Sequence, residues 1–235
     1  IFFNDETLEL TAEGEFDDKG VKKGIWKYYY PSGVKKSTSN QQTGLIELFT
    51  ERGELDSKYY LKEEEVDGEV EIYYACGSLK EKIGYKNGKR HGSGATFYAN
   101  GNKKSTYAYD NDLMTGEYIT YYSNGNLKTK ENFKNDKLDG EFVSFYADSK
   151  VESKGRYADG KPVGEWSYYQ DNGKKEKSGS FANGTSVGEW LFYDRDGDLN
   201  EVRPLNPSGE IEGEVKIIEK GKVITTILYK NQMPI

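Results

Sequence analysis

Apolar and polar residues alternate along this chain in short runs, and turn residues interrupt the runs at regular intervals. Glu117-Tyr118-Ile119-Thr120-Tyr121-Tyr122 is dense in strand formers. The run that follows, Leu127-Lys128-Thr129-Lys130-Glu131-Asn132-Phe133, places Leu127 and Phe133 on one face and Lys128, Lys130 and Asn132 on the other. Between such runs stand Ala99-Asn100-Gly101-Asn102, Ser123-Asn124-Gly125-Asn126 and Asp171-Asn172-Gly173. Asn-Gly accepts positive φ at both central positions of a tight hairpin, so each of these predicts a hairpin turn. A second set of turns, Asn87-Gly88, Asp159-Gly160 and Asn183-Gly184, closes the other end of the runs. No stretch sustains a helical period, and the expected fold is all-β and antiparallel.

The pattern repeats. Gly24, Gly44, Gly68, Gly92, Gly116, Gly140, Gly164 and Gly188 are spaced 20 and then 24 residues apart. The fifth residue after each is aromatic: Tyr29, Phe49, Tyr73, Phe97, Tyr121, Phe145, Tyr169 and Tyr193. Another aromatic stands 17 residues after the glycine at Tyr85, Tyr109, Phe133, Tyr157 and Phe181. A fixed period of this length is the mark of a repeat array whose units depend on their neighbours. Each unit reads as one β-hairpin. About nine hairpins of ~24 residues predict an elongated, single-layer, twisted meander, on the order of 85 Å long at ~4.8 Å per strand. The position-five aromatics are expected to form a structural ladder along one face.

Three segments are expected: a partial N-terminal repeat over 1–23, tandem repeats over 24–212, and a capping hairpin over 213–235. In the cap, aliphatics such as Ile217, Ile218, Val223, Ile224, Ile227 and Leu228 replace aromatics, and Pro204 and Pro207 set it apart. Glu63-Glu64-Glu65 breaks the turn pattern of the early repeats. Ile1-Phe2-Phe3 reads as the middle of a strand, which implies residues upstream. The end at Tyr229–Ile235 reads as a natural terminus.

Composition refines this picture. The chain is poor in aliphatics but carries 20 Tyr, 10 Phe and 3 Trp. Each buried aromatic removes roughly 150–250 Å² from water, enough to carry a core. A net charge of −7 speaks against nucleic acid as a partner. No apolar run approaches the ~20 residues of a membrane span, so membrane insertion is not expected. Glu69, Glu117, Glu141, Glu165 and Glu189 open the first strands, while Lys80, Lys82, Lys104 and Lys154 occupy polar slots of the second. Cross-strand Glu–Lys pairs on a solvated face are the expectation.

Reactive chemistry is sparse. The single His91 and single Cys76 lie in different repeats, each in a turn, and no enzyme or cofactor is expected. Asp194, Asp196 and Asp198 form a weak calcium candidate. Leu199 and Leu205 stand where an EF-hand loop needs Gly and Glu, and the segment coincides with a hairpin turn. Trp26, Trp166 and Trp190 share the position two after the glycine, and Tyr28, Tyr168 and Phe192 follow two residues on. Since one sheet layer cannot cover both its faces, these rings and Tyr118 are the expected binding anchors.

Tyr85-Lys-Asn-Gly88-Lys89-Arg90-His91-Gly92-Ser93-Gly94-Ala-Thr-Phe97-Tyr98-Ala-Asn-Gly101 resembles the membrane occupation and recognition nexus (MORN) repeat. The remaining units, of the form Gly-Glu-Trp/Tyr/Phe…Tyr-Tyr…Asn-Gly, are similar to its bacterial, antitoxin-type variant. The resemblance covers about residues 14 to 200. It implies a non-catalytic scaffold for a protein partner, exported or surface-located in a bacterium. The antitoxin-type variant implies a second reading, a cytoplasmic antitoxin that sequesters a toxin, and the row of aromatics itself offers a third, a glycan-binding module. A homodimer is a further expectation.

Overall fold

The computed structural model describes residues 1–4, 9–230 and 232–234. Among them there is no helix, and every paired strand is antiparallel to its partner. Contacts divide the chain into two compact units, Ile1–Leu113 and Met114–Ile235. Each unit is a meander. In the first, Lys22–Tyr29 pairs with Lys35–Asn40, which pairs with Leu45–Phe49, and the order continues to Lys89–Phe97 and Lys103–Asp110. In the second, Gly140–Phe145, Val151–Ala158, Lys161–Tyr169, Lys175–Ala182 and Thr185–Tyr193 follow one another in the same way. Gly213–Glu219 and Lys222–Lys230 form the last hairpin.

The two sets of Asn-Gly turns differ in geometry. In the second set both central residues have positive φ: Asn87 at 49° and Gly88 at 71°, Asn183 at 51° and Gly184 at 94°. That is the two-residue turn the sequence predicts. The first set corrects the expectation. Only the glycine has positive φ, as at Gly101 (87°), whose N–H donates to the Tyr98 carbonyl at 2.9 Å. The loop holds three residues and ends in a bulge. Here the Asn100 carboxamide oxygen accepts the Asn102 N–H at 3.1 Å, so Asn acts through its side chain. Glu63 and Glu64 also correct the expectation. They keep the two-residue turn, with φ of 52° and 70°.

Most of the glycines that set the period sit in bulges, while Gly44 closes a loop, its N–H donating to the Asn40 carbonyl at 2.9 Å. Between strands 79–86 and 89–97 the pairing jumps from Arg90↔Tyr85 to Gly94↔Ile83, and Gly92 inside the jump has φ 82°. A side chain there would pay the left-handed penalty of roughly 1–2 kcal/mol.

The core of each unit is thin. Trp26, Trp166 and Trp190 are its most buried aromatic side chains, at 2%, 4% and 6% exposure. Each indole lies flat on a glycine of the preceding strand. A Cβ added at Gly14, Gly155 or Gly179 would meet the ring at 2.4, 2.2 or 2.3 Å. A strand glycine here permits close approach of a plate. Hydroxyl pairs stand two residues further on, at the position of Tyr28, Tyr168 and Phe192, in three repeats without a ring there: Thr96 with Ser105 at 2.6 Å, Thr120 with Thr129 at 2.7 Å, Ser144 with Ser153 at 2.8 Å.

Candidate interaction face

The two faces of the second unit differ in chemistry. On one, ring contacts run Phe142–Tyr157–Trp166–Phe181–Trp190, with centroids 5.2–5.9 Å apart. Most of these contacts are edge-to-face, the arrangement the ring quadrupole favours. The stack therefore runs through positions two and seventeen of the repeat. Position-five rings pack differently. Phe49, Tyr73, Tyr169 and Tyr193 lie under the ammonium groups of Lys35, Lys58, Lys154 and Lys175, at 3.9–5.9 Å. Tyr29 donates its hydroxyl to Glu13 at 2.7 Å. Phe97, Tyr121 and Phe145 are half-buried in the same column.

A ladder between repeats does exist, one residue further on. Tyr30, Tyr74, Tyr122 and Tyr146 donate their hydroxyls to the backbone carbonyls of Phe49, Phe97, Phe145 and Tyr169 at 2.7–2.8 Å. Gln170 takes the role with its amide, reaching the Asp194 carbonyl at 2.5 Å. This column is legible in the sequence as a recurrent tyrosine at position six, beside the aromatic at position five.

The expected anchors separate into two groups. Trp26, Trp166 and Trp190 face inward, which corrects their reading as exposed rings. The indole N–H of Trp26 donates to Glu15 at 3.1 Å and that of Trp166 to Arg156 at 3.3 Å, both backbone carbonyls. Tyr28, Tyr118, Tyr168 and Phe192 are half-buried beside them. Lys22 donates to the Tyr28 hydroxyl at 2.8 Å, Tyr118 packs on Phe133 at 5.7 Å, Lys177 lies 4.8 Å over Tyr168, and Arg203 lies 4.6 Å over Phe192. Burial pushes the Tyr168 phenol upward.

The opposite face is open and polar. A cavity of about 280 Å³ lies between Glu165 and Glu189, with Ser167, Ser178, Ser180 and Leu191 among its walls. A neighbouring cavity of about 360 Å³ shares Glu165 and Ser167 with it and extends to Glu141 and Val143. The register explains the lining: Glu165 is opposite Ser180, Ser167 opposite Ser178, and Ser178 opposite Leu191. These residues share one face by the two-residue alternation.

Among the described residues, charge pairing on this face follows the expectation in the first unit. There Lys82 meets Glu69 at 2.8 Å and Lys58 meets Glu71 at 2.9 Å. Burial works against the Glu71 carboxylate, yet the Tyr73 hydroxyl and the Lys58 ammonium outweigh it and hold its pKa below the ordinary range. In the second unit Lys154 turns to the Tyr169 ring. Ser178 and Val202 occupy the slots beside Glu165 and Glu189 that Lys82 fills beside Glu69.

The remaining candidates have structural neighbours. Asp194 accepts the N–H groups of Asp196 and Asp198, both at 2.9 Å, and Lys174 lies 3.6 Å from Asp196. The three aspartates thus serve the hairpin turn, and among the described residues no His/Cys/Asp/Glu group converges as a metal site. His91 lies 3.3 Å from Asp110. Cys76 is exposed with its sulfur 3.1 Å from the Ser78 hydroxyl, which lowers the thiol pKa.

Five segments of the chain, residues 22–41, 66–87, 114–135, 138–159 and 162–183, match the family model described as MORN repeat variant. No curated protein matches the chain. Among solved structures, the crystal structure of TcdB2-TccC3-Cdc42 is similar at 12% identity over 88% of this chain, with a TM-score of 0.23. The Photorhabdus luminescens Tc holotoxin pore is similar at 11% identity over 95% of this chain, with a TM-score of 0.24. The chain spans 15% of the length of each of those proteins.

Proposed function

We propose that this array, five of whose segments match the MORN repeat variant, is a non-catalytic scaffold that holds a protein partner on the polar face of its second unit. One observation carries the reading: contiguous cavities of about 280 and 360 Å³ on a regular sheet face, joined through Glu165 and Ser167. Repeat scaffolds bind over extended faces of this kind. The aromatic face is already occupied by its own stack, so the polar face is the one left for a partner.

A photo-crosslinking amino acid at Ser167 tests this in the full chain. The expected result is a defined cross-linked protein from position 167 and none from Phe181 on the aromatic face. Equal capture from both positions, or from neither, would remove the reading.

A further inference from the structure

We infer that Glu165 and Glu189 form a pair of vacant ammonium slots that receive two cationic side chains from an extended segment of the partner. The inference rests on the scaffold reading and names the chemistry the partner brings.

The template lies within the molecule. In the first unit, Lys82 stands opposite Glu71 on one side and Ala95 on the other, and its ammonium lies 2.8 Å from Glu69. Four repeats later the same register places Ser178 opposite Ser167 and Leu191, beside Glu165. The carboxylate is kept while the lysine is gone, and the cavity of about 280 Å³ occupies the space. The substitution recurs at Glu189, where Val202 and Pro204 take the neighbouring positions.

Three cations line the two cavities, and two of them, Lys154 and Lys175, lie over rings. Lys175 lies 5.6 Å over the Tyr193 ring. Lys154 and Arg156 line the neighbouring cavity that shares Glu165, with Lys154 opposite Ser167 and its ammonium 5.7 Å over the Tyr169 ring, and Arg156 opposite Glu141. Two hydroxyls, Ser178 and Ser180, remain to accept the third hydrogen of an ammonium group.

Geometry sets the spacing of the ligand. Equivalent residues of adjacent repeats are two strands apart, about 10 Å. A polyproline-type segment advances about 9.3 Å in three residues and returns its side chain to the same side. The matching ligand is therefore an extended segment with Lys or Arg at every third residue.

The probe is a blocked Lys-Pro-Pro-Lys peptide, titrated by calorimetry into the full chain, with Gln-Pro-Pro-Gln as control. Binding of the lysine peptide alone, weakening as salt rises, is expected. Ser178→Lys, which restores the internal cation, is expected to weaken binding roughly tenfold, and Glu165→Gln with Glu189→Gln to do the same. Circular dichroism and tryptophan fluorescence report whether each variant keeps its fold. Absence of binding at millimolar peptide, or binding indifferent to Ser178→Lys in a folded variant, would overturn the inference. If the protein cross-linked through position 167 were still captured by Ser178→Lys, the slots would be wrong and the scaffold reading would stand. If position 167 captured nothing in either background, the scaffold reading itself would fall.

Discussion

Two kinds of glycine in this chain do different work, and their substitutions separate the two. Gly188 has φ 71° and open space where a Cβ would go, so Gly188→Ala bears only the conformational cost, about 1–2 kcal/mol. Gly179 has no such φ, but its Cβ would lie 2.3 Å from the Trp190 ring. Gly179→Ala must displace the indole, and overpacking of this kind costs about 1–3 kcal/mol or more. Urea titration should show both variants destabilised, with reduced tryptophan burial only for Gly179→Ala. Equal fluorescence in the two would disprove the plate-on-glycine contact. A second residue-scale expectation concerns Glu71, whose folded pKa lies below its ordinary 4.5. Its contribution is present above that value and fades as pH falls through the folded pKa. Lys58 and Tyr73 are raised, so theirs is present below about pH 10 and fades above it. The stability difference between wild type and Glu71→Gln should thus be largest between these limits and shrink in acid; a difference constant from pH 3 to 7 would contradict the pairing. The glycine period was legible from spacing alone. The plate contact was not, although Gly155 and Gly179 each stand 11 residues before a tryptophan. Seeing it requires knowing that strand register brings those positions face to face.

At the scale of the hairpin, turn chemistry decides stability, and one turn works against its residues. Glu63 and Glu64 both adopt left-handed backbone, with φ of 52° and 70°, where other repeats place Asn-Gly, Asn-Asp or Asp-Gly. For a side chain with no local hydrogen bond this costs roughly 1–2 kcal/mol per residue. Glu63→Asn with Glu64→Gly should therefore raise stability by about 1–3 kcal/mol, read as a higher urea midpoint at unchanged slope. No change in midpoint would mean that the glutamates relax the strain in solution. The sequence predicted strands, order and turn positions here because each hairpin is local. It did not separate the two turn types, since Asn-Gly serves both: through backbone freedom at Asn87, and through the side chain at Asn100. Nor did it show which expected Glu–Lys pairs close, because that depends on whether a given lysine finds a carboxylate or a ring. Lys82 finds Glu69, while Lys154 lies over Tyr169.

For the whole molecule the consequence of local pairing is energetic locality. The described ladders join strands that follow one another in sequence, and the cross-repeat bonds, such as Tyr146 to Tyr169, reach only one repeat ahead. Stability of such an array is a sum of repeat terms and nearest-neighbour terms. A defect should then spread by a repeat or two and stop. Gly179→Ala gives a test, because its indole partner Trp190 and the adjoining Trp166 and Phe181 stack through ring contacts of 5.2–5.9 Å. Hydrogen exchange on this variant should lose amide protection from about Val151 to Leu205, where the stack and its flanking strands lie, while Lys22–Asn40 keeps its protection. Uniform loss along the chain would show a single cooperative unit and refute the nearest-neighbour description. The same locality bears on partner binding. A cationic segment seated between Glu165 and Glu189 should raise protection in Lys161–Tyr169, Lys175–Ala182 and Thr185–Tyr193 and leave the early strands as they were. A scaffold that is stabilised only where it is occupied can hold its partner without reorganising the rest of the array.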